Sequence, residues 1–311
     1  MARDRTEAIP SAWEEVEEEE PRGPSNLQLA LQDLLRRPPA LFGLFCIVVV
    51  VTWAIVPWLF SPFDPLGSDL HRFLKPPGFT DGAGRIYLLG TDQHGRDILS
   101  RIIWGARISL YVGIAAVGVS GLIGVTLGLV AGYFGGMVDA VISRIIETAL
   151  AIPFILLAMS IIAIMGPSLQ NVIIAISIRT WIVYARVIRG EVLSVKEYEY
   201  VTGAKAAGCR TLRIVVLYLL PNVFSSAIVI ATLYLGRMII IEASLSFLGV
   251  GVPPPTPTWG GMLADGRSYL DTAWWIAFFP GTVLMLTVLS VNLLGDWVRD
   301  ALDPRLKHQG K

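Results

Sequence analysis

EYEYVTGAKAAGCRTLRIVVLYLLPN, residues 197–222, is a polar interruption between two long apolar segments, and the arrangement of the chain turns on it. Its first half, Glu199 to Ala207, joins good helix formers to small side chains at Gly203, Ala204, Ala206 and Ala207, so that a partner surface could approach the backbone closely. Gly208 is expected to stop this helix, because glycine tolerates the left-handed conformation that ends one. Leu212, Val215 and Val216 then return an apolar face to the membrane, and Pro221 stands where a new helix begins without losing a needed N–H. The stretch predicts a helix, a turn and a helix projecting from a bilayer as a handle for another protein.

Composition sets the class around that handle. The chain has 311 residues, 54% of them hydrophobic and 16% charged, with positive mean hydropathy, which places it among membrane proteins. A net charge of zero gives no reason to expect a nucleic-acid partner. Cys46 and Cys209 lie in an apolar segment and in the handle, without the paired spacing of a disulfide framework or a zinc site. Residues 1–24 carry the acidic run Glu14, Glu15 and Glu17 to Glu20, followed by Pro21, Gly23 and Pro24, and predict a disordered cytosolic tail. No apolar region follows the basic start, so the tail is not a signal peptide. In residues 25–39, Leu27, Leu31, Leu34 and Leu35 recur at helical spacing before Arg36 and Arg37, which suggests an amphipathic helix on the cytosolic membrane face or a solvated one.

Six segments suit a bilayer core that needs roughly 20 helical residues. They fall near 40–60, 107–131, 138–165, 170–189, 222–242 and 274–296. Gly113, Gly118, Gly121, Gly124 and Gly128 in the second point to close helix packing. Only helices satisfy such backbones without water, so the expected fold is an all-α bundle. Basic residues in short loops mark the cytosolic side. Arg186, Arg189, Lys196, Lys205, Arg210 and Arg213 cluster after the fourth segment, and Arg299, Arg305 and Lys307 follow the sixth. Both termini and the handle are therefore expected in the cytosol. The 61–106 loop, where Arg72, Lys75, Arg85, Arg96 and Arg101 are offset by Asp64, Asp69, Asp81, Asp92 and Asp97, is expected outside.

Against this frame the handle resembles the EAA loop of binding-protein-dependent ABC importer permeases. That pattern is Glu-Ala-Ala, three residues, Gly, nine residues, Ile-x-Leu-Pro. Aligned on Gly208, the triplet falls on Thr202, Gly203 and Ala204, and the closing element on Tyr218, Leu219, Leu220 and Pro221. The acid is replaced by Thr202 and the isoleucine by Tyr218, while Glu199 stands one turn earlier. LGTDQHGRDILSRIIWGARISL at 89–110 is similar to the segment before the second span in the C-type permease subunit of dipeptide, oligopeptide and nickel importers. The same family matches PFDP at 62–65, GYFGGMVD at 132–139 and WIVYARVIRGEVLSVKEYEYV at 181–201. It also matches EASLSFLGVGVPPPTPTWGGMLADGRSYL at 242–270 and NLLGDWVRDALDPRLK at 292–307, so the resemblance covers nearly everything after residue 30.

The resemblance implies an all-α membrane protein with six transmembrane helices in a type I ABC importer permease bundle. Its parts would be a first span at 40–60, an external loop at 61–106, a core of five spans at 107–296 with a coupling loop at 190–221, and a cytosolic tail at 297–311. It implies as partners a second related permease subunit, two ABC ATPase subunits, an external solute-binding protein and membrane lipid, in the inner membrane of a prokaryote. Dipeptides, longer oligopeptides and nickel chelates are the candidate solutes. Glu199, Tyr200, Thr202, Gly203, Ala204, Gly208 and Pro221 would couple the bundle to the ATPases.

Other residues carry a second reading beside the functional one. In GTDQHGRD, Gly90 and Gly95 permit tight turns, Thr91, Asp92 and Asp97 suit helix caps, and Arg96 suits a carboxylate. This loop could fold over the mouth of the bundle. His94 has no second ligand at a useful spacing, so no metal site is expected. PPPTPTW at 253–259 is stiff, because proline fixes φ and removes a donor. Asp92, Arg96, Asp97, Pro254 and Trp259 are thus candidates for partner contact, with a spacer or structural cap as the alternative. Within the spans, Arg144 and Glu147 could pair along one helical face. Arg179, Trp181, Tyr184, Arg237 and Glu242 either line a translocation path or pin helices together.

No G-x-x-x-x-G-K-[ST] loop, metal cluster or nucleophile motif occurs. The chain is therefore expected to be no enzyme and to bind no cofactor, with ATP and magnesium held by partner ATPase chains. Two alternatives are an ion-coupled secondary transporter, which calls for midplane carboxylates and repeated halves, and a structural membrane subunit of a larger complex, which needs no handle.

Overall fold

The computed structural model describes residues 33–302. The acidic tail at 1–24, residues 25–32 of the surface helix and the tail from 303 onward lie outside the described residues. Helix α1 spans Pro38–Ile55 and is followed by the short α2, Pro57–Phe60, each opening on a proline whose missing N–H is harmless there. The following loop holds a 3-10 turn at Leu70–Arg72 and a small antiparallel hairpin of Phe79–Thr80 with Ile86–Tyr87. Helix α3 then runs unbroken from Ile98 to Phe134, starting earlier than the 107–131 segment because Asp97 caps it by accepting from the Ser100 backbone N–H at 2.7 Å.

The third of the six expected segments is interrupted. The apolar run at 138–165 is two helices, α4 (Gly136–Ala151) and α5 (Phe154–Met165), meeting at 91°. Pro153 has no N–H to continue a ladder and pushes the preceding residue out of the helical region, and Ile152 is extended at φ −90°, ψ 128°. After this bend come α6 (Leu169–Val195), α7 (Glu199–Ala206), α8 (Thr211–Ile214), a π turn at Val215–Leu219 and α9 (Leu220–Phe247). Helices α10 (Trp259–Gly266) and α11 (Trp275–Leu302) complete the described residues. By length and composition, five helical stretches suit a membrane crossing among the described residues, and the bent pair makes up to six.

Helix α6 packs along much of α3, and small residues set the distance. A Cβ at Gly128 would lie 2.8 Å from the Ile188 Cβ, one at Gly132 would lie 2.7 Å from the Val192 Cβ, and one at Gly124 would overlap Trp181 and Tyr184. The glycine stripe therefore works as close helix contact, where dispersion between backbones replaces side-chain bulk. Gly113 meets Ile239 of α9 instead, and Gly118 meets nothing. Helices α9, α11 and α1 continue the bundle beyond α3, with α10 tucked between α9 and α11.

This packing sends the two groups of connecting segments to opposite ends. Trp259 of α10 donates its indole N–H to the Ile102 carbonyl near the start of α3 at 3.0 Å. Val201 of α7 and Ile214 of α8 instead pack with Leu129 near its end. At 1.5 Å per residue those two levels are about 40 Å apart.

Candidate functional site

The first site is the segment between α6 and α9. Helix α7 ends at Ala206, and Gly208 adopts φ +75°, the left-handed conformation that only glycine enters without strain. Val201 is buried against Val195, Ile214 and Leu219, which fixes the helix to the bundle by one side. The other side is open: Glu199, Tyr200, Thr202, Gly203, Lys205, Ala206, Ala207 and Gly208 are exposed, and Ala204 is half-buried. Tyr200 stacks on Tyr218 with ring centres 6.3 Å apart, so the tyrosine at the isoleucine position braces the helix against the π turn. Thr202, at the acid position, turns its hydroxyl inward to the Glu199 carbonyl at 3.1 Å. Pro221 opens α9 and is exposed.

The base of this segment is anchored by residues the sequence reading used only for orientation, or passed over. Lys196 donates to the Gly132 carbonyl at 3.0 Å, and Arg189 forms a two-pronged ion pair with Asp139, its Nη2 lying 2.6 Å from Oδ2. The pair ties α6 to the start of α4. The signal for it was an acid and a base each on a helix running to the same end of the bundle.

At the opposite end the 89–97 and 253–259 stretches come together. Asp92 is fully buried; its Oδ1 accepts from the backbone N–H groups of His94 and Arg96 at 2.8 and 2.9 Å, and its Oδ2 from Arg96 Nε at 2.7 Å and from Arg101 Nη1. Asp265 of α10 approaches Arg101 at 3.3 Å and Arg96 at 3.7 Å, so an acid from the 89–97 stretch and one from the helix after the 253–259 stretch share two guanidinium groups. Breaking the buried Asp92–Arg101 pair from one side leaves an uncompensated charge and costs about 3–5 kcal/mol, whereas the more exposed Asp265 contributes less. A cavity of about 530 Å³ opens beside Arg96, Arg101 and Asp265 and runs along Pro253 to Pro255.

Three of the five residues considered for partner contact are interior here. Asp92 belongs to the ion-pair network, Asp97 caps α3, and Trp259 is buried with its indole N–H satisfied by Ile102. An indole that finds a carbonyl inside the bundle gains from burying its large apolar face as well. Pro254 is exposed and Arg96 is half-buried at the cavity. Burial pushes the Asp97 carboxyl up from the ordinary aspartate range, against the pull of its hydrogen bonds from Ser100. His94 sits against Arg96, its Nδ1 3.0 Å from Nη2.

Along the spans, the five candidates for a path separate: Tyr184 and Glu242 are buried, Arg179 and Trp181 half-buried and Arg237 exposed. Arg179 and Arg237 converge on one cavity of about 370 Å³ between α5, α6 and α9, which Arg186 also lines. Trp181 packs with Ile142 and Ile146 of α4, and Tyr184 is buried beside a separate, apolar cavity of about 470 Å³. Glu242 is fully buried and accepts from Ser246 Oγ at 2.8 Å within α9. Arg144 and Glu147 pair on an exposed face, 3.1 Å apart.

Residues 124–308 match the family described as the binding-protein-dependent transport system inner membrane component, and residues 25–77 match the N-terminal TM domain of oligopeptide transport permease C. The di/tripeptide transport system permease protein DppC of Pseudomonas aeruginosa (strain UCBPP-PA14) is 43% identical over 286 residues, covering 92% of this chain and 94% of that protein. The glutathione transport system permease protein GsiD of Pectobacterium atrosepticum is 42% identical over 267 residues, covering 85% of this chain and 86% of that protein. A chain in a solved structure of the MetNI methionine ABC transporter in inward facing conformations aligns at TM-score 0.52 and 20% identity, covering 66% of this chain and 98% of that one, which bears on the fold alone.

Proposed function

The chain belongs to the family of binding-protein-dependent transport system inner membrane components and is a permease component of an ABC transporter, and on that premise we propose that it forms half of an ATP-driven import path for short peptides. The other half would be a second, related permease subunit. Two ABC ATPase chains, carrying ATP and magnesium, would dock on the α7 side, and a solute-binding protein would deliver the peptide at the opposite end. The names of the relatives, di/tripeptide and glutathione permeases, favour short peptides over nickel chelates as the solute.

The observation that carries this reading is α7: a two-turn helix pinned by Val201 on one side and bare on the other, braced at Tyr200 and released by Gly208. An isolated helix of eight residues is marginal in water, so an exposed one supported from below is suited to occupy a groove in a partner. The loop basic residues favour a cytosolic position for α7 and both termini. Closure of the ATPase pair would then pull α7 and bias the bundle between inward-open and outward-open arrangements, a population shift driven by differential binding. The chain would do no bond-breaking chemistry.

Co-purification with candidate ATPase chains, followed by ATP hydrolysis with and without a peptide-loaded binding protein, tests this. Stimulation by the loaded binding protein is the expected result. Peptide uptake in liposomes driven by an ion gradient, without any ATPase chain, would replace this reading with a secondary transporter.

A further inference from the structure

The cavity between α5, α6 and α9 opens on a face of the bundle, where Arg186 and Arg237 are exposed and Arg179 is half-buried, and its wall is unusual for a chain of this kind. Three guanidinium groups, Arg179, Arg186 and Arg237, line it with Thr180, Tyr234 and Phe154, and no Asp or Glu does. Neighbouring arginines have carboxylate partners, Arg144 with Glu147 and Arg189 with Asp139. The three in the cavity have none among the described residues. Arg179 makes one long hydrogen bond to the Ala149 carbonyl at 3.4 Å, and the Arg237 guanidinium carbon stands 5.5 Å from the centre of the Tyr234 ring.

Their depth is also defined. Arg179 lies about 24 Å from the Val195 end of α6, and Arg237 about 25 Å from the Leu220 end of α9, at 1.5 Å per residue. Both ends belong to the α7 side, so these two arginines sit at one level of the bundle. Arg186 is about 10 Å nearer to α7. The result is a short ladder of cations leading from mid-bundle toward the handle.

Cations at such depth are costly unless they face water or an anion, and the planar guanidinium fork matches a carboxylate with two parallel hydrogen bonds. A free peptide always carries one carboxylate, at its C-terminus. The volume, about 370 Å³, is near the small end of ligand pockets and suits the end of a peptide rather than a long chain. Resting on the peptide-import reading, we propose that this arginine-lined cavity is a station on the path that holds the C-terminal carboxylate of the passing peptide. Arg179 and Arg237 grip it, and Arg186 receives it on the way to the α7 side. The permease thereby adds its own selection for an anionic terminus to that of the binding protein.

The test uses the complete transporter in two arms. ATP-driven uptake of labelled dialanine into liposomes, with the binding protein present, checks the peptide-import reading itself; no uptake by the unaltered protein sinks that reading and this inference with it. Equilibrium binding of dialanine and of dialanine amide to the same complex in nanodiscs, without the binding protein, checks the cavity. The unaltered complex is expected to bind the free acid about tenfold more tightly than the amide, the scale of a charge-assisted pair. Arg179→Gln with Arg237→Gln is expected to bring the two ligands within about twofold, and Arg179→Lys with Arg237→Lys, a variant that keeps the charge if the glutamine form fails to insert, to keep part of the preference. Uptake of dialanine together with equally tight binding of acid and amide by the unaltered complex overturns the inference alone. So does an equal loss for acid and amide in the glutamine variant, which would mark a structural contact or a pairing with the second permease. The nanodiscs are made with zwitterionic lipid alone and with one third anionic lipid; if the substitutions change only the response to anionic lipid, the arginines hold a lipid headgroup and the inference falls.

Discussion

Replacing Gly208 with valine isolates the handle from the rest of the fold. The residue has φ +75°, and a Cβ built on it meets nothing within 4 Å, so a larger side chain clashes with no neighbour. The whole penalty is in the backbone, where an L-residue in the left-handed conformation costs about 1–2 kcal/mol, with a β-branched one at the upper end. The long packed spans absorb that without unfolding, but the eight-residue α7 is held by little more than Val201 and the Tyr200–Tyr218 stack. A penalty of this size lowers the ratio of native to non-native turn by about 5- to 30-fold, and docking weakens by up to that factor, the full factor being reached where the undocked turn is marginal. Asparagine enters the left-handed region more easily, so the expected order of coupling is glycine, asparagine, alanine, valine. The assay is binding-protein-stimulated ATP hydrolysis by the assembled transporter at limiting ATPase chain, beside the melting temperature of the permease in detergent. Loss of stimulation in that order with unchanged melting is the expected outcome. If valine couples as well as glycine, the turn geometry does not matter to docking and the reasoning is refuted.

Two further perturbations probe the bundle. Gly128→Leu puts a side chain where even a Cβ stands 2.8 Å from Ile188 and 2.9 Å from the Ala185 carbonyl, so α3 and α6 must separate; overpacking costs about 1–3 kcal/mol and should lower the melting temperature, whereas Gly118→Ala, with nothing in reach, should not. Asp97 gives a pH dependence. Its folded-state pKa is raised by burial, so the folded state binds the proton more tightly than the unfolded chain. Its unfavourable contribution is absent below the ordinary aspartate value of about 3.9 and grows as pH rises from there through the raised folded value. Asp97→Asn, which retains an acceptor for the Ser100 N–H, should therefore gain in melting temperature over the unaltered protein as pH climbs from 4 toward neutrality; a constant gap would show that burial does not raise this carboxyl.

The fold class was legible because a bilayer imposes a long-range rule on a local pattern: apolar segments of sufficient length must be helices. The stop at Gly208 was legible for a similar reason, since one residue type answers one backbone need. The break at Ile152–Pro153 was written in the chain, yet hydropathy alone runs straight across it, and only proline's missing N–H argues for the bend. Asp265 had no local mark, because its tie to Arg101 joins positions 164 residues apart. Trp259 looked like an outward contact in a stiff loop, but its indole N–H and large face are better satisfied inside. Arg186 was counted toward orientation, and its place beside Arg179 and Arg237 emerges only when α9 is laid against α6.

The central claim is that α7 transmits force from an ATP-hydrolysing partner. The most direct measurement is cysteine crosslinking from Ala206→Cys, an exposed position on α7, in a chain whose native Cys46 and Cys209 are replaced by serine. In the assembled transporter a short crosslinker should join position 206 to an ATPase chain, and ATP should change the yield as the bundle switches. A crosslink only to the solute-binding protein, or labelling of position 206 only from outside the cell, would contradict the account.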